Sequence, residues 1–219
     1  MQIFIDSANK EEIEYAAKLN VVSGVTTNPT LLMRNGINLD QAMKEIASII
    51  NGPVSLEVSE DTAENMLKQA LDVYYKANNR NVVIKVPMTE DGLKLCRELS
   101  NRGIKTNVTL IFTLNQAILA INAGATYISP FIGRLCDYEN HDDAGFDLIK
   151  SIKDYMNLNK YYSTKVIAAS IRKPYHVEQA ALAGADIVTV PFKILKEMYE
   201  HELTTQGLEI FRKDEGRWK

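Results

Sequence analysis

Two hydrophobic patterns alternate along the whole chain. Short runs rich in β-branched residues recur as QIFID (2–6), SGVTTN (23–28), PVSLEV (53–58), NVVIKV (81–86), KTNVTLI (105–111), TYISPF (126–131), KVIAAS (165–170) and DIVTVP (186–191). Between them lie segments of helical period, the clearest after the third run. There Ala63, Met66, Leu67, Ala70, Leu71 and Tyr74 form one apolar stripe, which packs a helix face against a sheet. Ala-Gly-Ala triplets at 123–125 and 183–185 each precede a strand run, where glycine closes a helix in the left-handed conformation. Strand and helix in strict alternation predict a parallel sheet.

Eight is the number of parallel strands that closes a barrel. The prediction is therefore an α/β fold: a single (β/α)8 TIM barrel spanning residues 1–219, with residues from about 201 to 219 as a C-terminal helical tail. The length suits one domain, and no Pro/Gly/Ser-rich linker or block of like charge divides the chain.

Within the strands the period is two, so alternate side chains face the barrel interior and the surrounding helices. Ile3, Ile5, Val54, Leu56, Ile84, Val86, Val108 and Leu110 are assigned to the apolar, helix-facing side. The other side turns polar towards the carboxyl end of each run, with Asp6, Thr26, Asn28, Glu57, Lys85, Asn107, Thr109, Ser129 and Ser170. Each polar group left without a hydrogen bond costs about 1–3 kcal/mol when buried, so this set is expected to ring a wet pocket at the mouth.

Lys85 lies in an otherwise apolar run. Burial withdraws the hydration that favours an ammonium, and a neutral amine attacks carbonyl carbons. Two readings stay open from the residues: a satisfied core cation paired with Glu57, or a Schiff-base former. Asp6 likewise reads either as the cap of the helix in DSANKEE or as an acid/base carboxylate.

A net charge of −3 gives no electrostatic footprint for nucleic acid or an anionic membrane. Cys96 and Cys136 are too few for a disulfide framework or zinc cluster, and the N-terminus, charged by its sixth residue, reads neither as a signal peptide nor as an anchor. A cytoplasmic location is expected. His141, His176 and His201 lack ligand spacing, so no metal is expected, and there is no Walker loop, G-x-G-x-x-G after the first strand, or G-x-S-x-G elbow.

IFIDSAN, GVTTNPTLL, VVIKVPMTEDGL, TNVTLIFT, SPFIGR, VIAASIRKP and AGADIVTVP run in register over nearly the whole chain. By them the sequence resembles the transaldolase family, in the short subfamily that includes fructose-6-phosphate aldolase. The resemblance implies cofactor-free transfer of a dihydroxyacetone unit from sedoheptulose 7-phosphate or fructose 6-phosphate to glyceraldehyde 3-phosphate or erythrose 4-phosphate, in the pentose phosphate pathway. It makes Lys85 the Schiff-base lysine and Asp6 the acid/base group. Glu57 and Thr109 hold a proton-shuttling water, and Thr26 supports the network. Asn28, Asn107 and Ser129 grip the dihydroxyacetone portion, while Arg134, Ser170 and Arg172 meet phosphate.

Fructose-6-phosphate aldolase is similar but carries Gln at the place of Glu57 and Tyr at that of Phe131. The present residues favour transfer, with cleavage to free dihydroxyacetone as the alternative. A barrel that only binds sugar phosphates is the rival of another class, and it would not need Lys85, Glu57 and Asp6 together. Short family members assemble as pentamers or stacked decamers, which implies a homo-oligomer. Leu208, Phe211 and Trp218 of the tail are positioned to reach a neighbouring copy or, alternatively, to cap the barrel.

Overall fold

The computed structural model describes residues 1–59, 61–77 and 81–216. Eight parallel strands close a barrel in sequence order: β1 (Gln2–Asp6), β2 (Gly24–Thr26), β3 (Val54–Glu57), β4 (Val82–Pro87), β5 (Thr106–Ile111), β6 (Tyr127–Pro130), β7 (Lys165–Ala168) and β8 (Ile187–Val190), with β8 returning to β1. Seven fall within the runs read from the sequence, and β4 extends one residue past its run, to Pro87.

Among the described residues the helices are α1 (Lys10–Lys18), α2 (Pro29–Arg34), α3 (Leu39–Ile46), α4 (Ala63–Ala77), α5 (Glu90–Asn101), α6 (Leu114–Asn122), α7 (Ile132–Glu139), α8 (Ala144–Leu158), α9 (Pro174–Leu182), α10 (Phe192–Glu197) and α11 (Glu202–Glu215). The stripe expected on α4 is present: Met66 and Ala70 are buried, and Leu67, Leu71 and Tyr74 pack against the core. Gly124 and Gly184, both at φ +89°, end α6 and α9 in the left-handed conformation, as the two Ala-Gly-Ala triplets require.

Two apolar clusters follow from the period of two. Ile5, Val25, Val54, Leu56, Ile84, Val86, Val108, Val166 and Val188 join the inner faces of the helices in the large core between the layers. Phe4, Val83, Tyr127, Ile167 and Ile187 form a smaller cluster that plugs the barrel from within. Polar side chains, among them Asp6, Thr26, Lys85, Ser129 and Thr189, occupy the carboxyl ends of the strands and line a cavity there.

Leu110 departs from the face expected of it. The β5–β6 register shifts between Thr109 and Ile111, and Leu110 takes φ +62°. In a regular strand it would follow Val108 outward. The bulge instead turns Leu110 to the mouth, where it lines a cavity, and Ile111 takes the buried outward position. α1 corrects a second reading. Its N-cap is Asn9, whose Oδ1 accepts from the Glu12 amide at 3.1 Å, so Asp6 does not serve as the helix cap.

Candidate active site

The register sets the polar groups side by side. Asp6 pairs with Thr26 across β1 and β2, Glu57 with Lys85 across β3 and β4, Lys85 with Asn107, and Thr109 with Ser129. Lys85, only 4% exposed, points into the barrel mouth. Its Nζ donates to Glu57 Oε2 at 2.9 Å and to the Thr27 carbonyl at 2.9 Å. The ion pair of the first reading is therefore present, and its geometry leaves the second reading open.

Asp6 faces the same space. Burial holds its carboxyl above the ordinary carboxylate range, opposed first by the Lys85 charge and then by the Thr26 hydroxyl, with Glu57 adding to the rise. Thr26 Oγ1 donates to Asp6 Oδ1 at 2.7 Å.

Below the cavity floor runs a buried amide ladder. Asn107 Nδ2 donates to Ser55 Oγ at 3.2 Å, and Ser129 Oγ donates to Asn107 Oδ1 at 2.7 Å. Ser129 lines the cavity, whereas Asn107 lies beneath it. With its proton committed to Asn107, the Ser129 oxygen is left to accept a hydrogen bond from a ligand hydroxyl. Thr109 Oγ1 is buried without a partner, which a water or a ligand would satisfy.

Two cavities of about 160 and 470 Å³ share Asp6, Asn28, Phe131 and Arg134 and form one mouth. Asn28 stands at the junction of β2 and α2, where its Oδ1 accepts from the Leu31 amide at 3.0 Å. The Arg134 guanidinium lies 5.1 Å from the centre of the Phe131 ring. Gly133 explains how SPFIGR and AASIR meet: a Cβ there would stand 2.2 Å from the Ser170 carbonyl oxygen, so only glycine lets α7 come so close to the end of β7. Ser170 itself is left-handed at φ +61°, a conformation that costs a non-glycine residue about 1–3 kcal/mol and is found where geometry at a site demands it. Of the expected residues, Asn107, Thr109 and Arg172 line neither cavity; the first two are buried, whereas Arg172 is exposed and paired with Asp137.

Sequence reasoning missed Thr189, Ser55, the Thr27 carbonyl and Arg34. Thr189 and Ser55 occupy inward positions in runs already identified, so the same alternation could have found them. Arg34 lines the wider cavity from α2, and no strand period reaches it. Among the described residues no group of three or more His, Cys, Asp or Glu side chains comes together as metal ligands would.

A profile described as Transaldolase/Fructose-6-phosphate aldolase matches residues 3–218. The chain belongs to this family. Within it, a probable transaldolase of Agathobacter rectalis is 50% identical over 216 residues, covering 98% of this chain and 97% of that protein. A probable transaldolase of a Geobacillus species is 49% identical over 219 residues, the full length of both. The barrel also resembles that of a (putative) lactate oxidase from Pediococcus acidilactici, with a TM-score of 0.58 and 18% identity over 87% of this chain and 62% of that one. At such identity the likeness outside the family is one of fold.

Proposed function

We propose that the protein is a transaldolase, transferring dihydroxyacetone from sedoheptulose 7-phosphate or fructose 6-phosphate to glyceraldehyde 3-phosphate or erythrose 4-phosphate. The observation that carries the reading is the buried Lys85–Glu57 pair facing Asp6 across a polar cavity in a chain of this family. Lys85 passes a proton to Glu57 and its amine attacks the ketose C2. Loss of water gives an iminium. Asp6 takes the C4 hydroxyl proton, the C3–C4 bond breaks, and its electron pair moves into the iminium to give an enamine and a free aldose. The enamine then attacks the acceptor aldehyde, Asp6 returns its proton to the new hydroxyl, and water releases the product.

Burial of Asp6 suits both directions, because a carboxyl raised above its usual range is a stronger base towards the C4 hydroxyl and can still give the proton back. The unpartnered Thr109 hydroxyl, with Glu57, is assigned the water of iminium formation and hydrolysis, and Thr26 supports Asp6. Asn28 and Ser129 hold the three-carbon unit, Asn107 acting through Ser129. Arg134 and Ser170 meet phosphate at the mouth. Arg172 joins them only by leaving Asp137.

The same reading makes the protein a cytoplasmic pentamer or decamer. α11 buries none of its own residues in one chain and exposes Leu203, Leu208, Ile210 and Phe211, while Trp218 lies outside the described residues. No helix among the described residues is long and apolar enough to cross a membrane, and both cysteines are free.

A coupled assay with fructose 6-phosphate, with and without erythrose 4-phosphate, tests the function. Transfer is expected to outrun release of free dihydroxyacetone by at least about tenfold. Release as fast as transfer would make the protein an aldolase.

A further inference from the structure

Thr189 on β8 and Thr26 on β2 flank β1, and their hydroxyls meet on its inner side at 2.6 Å, next to the Asp6 carboxyl. Thr189 is 3% exposed and lines the cavity. The directions of these bonds follow from counting protons. With Asp6 ionised, the form in which it can act as a base, its carboxylate only accepts, so the single hydroxyl proton of Thr26 is the one given to Oδ1 at 2.7 Å. The contact between the two threonines must then be made with the proton of Thr189. We propose that Thr189 is a positioning residue for the acid/base carboxylate: by donating to Thr26 it locks the Thr26 hydroxyl as a donor to Asp6 Oδ1. The inference rests on the acid/base reading of Asp6 given above.

Two consequences follow from the chain Thr189→Thr26→Asp6. Each hydrogen bond in such a series polarises the next, so Thr26 is a stronger donor with Thr189 behind it, and donors to a carboxylate favour its ionised form. Oδ1 is also kept occupied. The proton taken from the substrate therefore resides on Oδ2, the oxygen left to face the cavity and the incoming aldehyde. Without Thr189 the Thr26 hydroxyl is free to turn and accept from Oδ1, which stabilises the protonated carboxyl in an orientation directed away from the reacting atoms.

The charged groups facing or sharing this cavity are Lys85 from β4, Glu57 from β3, Arg34 from α2 and Arg134 from α7, and all remain when Thr189 alone is changed. The test is a pH titration by NMR of the full chain labelled with 13C at Asp carboxyls, the Asp6 signal being identified by its loss in Asp6→Asn. Thr189→Val, which keeps the shape and removes the hydroxyl, is expected to move the Asp6 midpoint up by about half to one pH unit. The acid limb of kcat/KM should move with it, and Thr189→Ser should restore both. If the valine variant does not fold, Thr189→Ala carries the same expectation. An unmoved or lowered midpoint, or a serine variant displaced as far as the valine one, overturns the proposal. A raised midpoint in a protein whose wild type transfers nothing supports the hydroxyl chain and removes the transaldolase reading instead.

Discussion

A lysine with 4% exposure is tolerated inside a barrel only if its ammonium has partners, and Lys85 has the Glu57 carboxylate and the Thr27 carbonyl, each at 2.9 Å. What distinguishes this pair from a structural one is a second carboxyl, Asp6, whose burial opposes ionisation in the same space. Glu57→Gln keeps the shape and the hydrogen-bonding reach but ends proton exchange. Transfer should fall by about 10²-fold, the usual scale for losing general acid–base help. Combined with Phe131→Tyr, which returns a hydroxyl to the cavity wall, it should raise the share of fructose 6-phosphate released as free dihydroxyacetone. Product analysis by coupled assay measures the partition, and an unchanged ratio would contradict the roles given to both positions. Lys85 and Asp6 were legible in the sequence because a charge in an apolar run needs an explanation. Thr189 was passed over, although the alternation turns it inward, because a threonine in a β-branched run asks for no explanation; its 2.6 Å contact with Thr26 is created only by the closed barrel.

Strands were legible to within a few residues because each needed only an apolar face, and burial enforces that locally. Irregular points were not. Leu110 fits the outward apolar pattern in every respect a sequence can show, yet the β5 bulge carries it to the mouth. The helix start after β1 was left open for a similar reason. Asp6 and Asn9 are both good caps by residue type, and only the backbone decides that Asn9 receives the Glu12 amide. Left-handed Leu110 and Ser170 occur in β5 and just after β7, and both line the mouth. Regular strand geometry thus gives way at two points of the mouth.

At the scale of the molecule, the closed sheet divides the labour between its two ends. The Phe4, Val83, Tyr127, Ile167 and Ile187 plug fills one part of the interior with apolar atoms, so the polar groups at the carboxyl ends stand on a packed floor. The exterior is less self-sufficient. α11 presents Leu203, Leu208, Ile210 and Phe211 to solvent in a single chain, and a helix with no buried residue gains little from its own barrel. Sedimentation velocity should find an assembly of five or ten chains that shifts to smaller species when residues 202–219 are removed, and a monomeric full-length chain would contradict the assembly. The central claim, however, concerns one nitrogen. Sodium borohydride added during turnover of fructose 6-phosphate, followed by peptide mass spectrometry, should find a reduced three-carbon adduct on the side chain of Lys85. Turnover that leaves this lysine unmodified under the reductant, or places the adduct on another residue, would contradict the account.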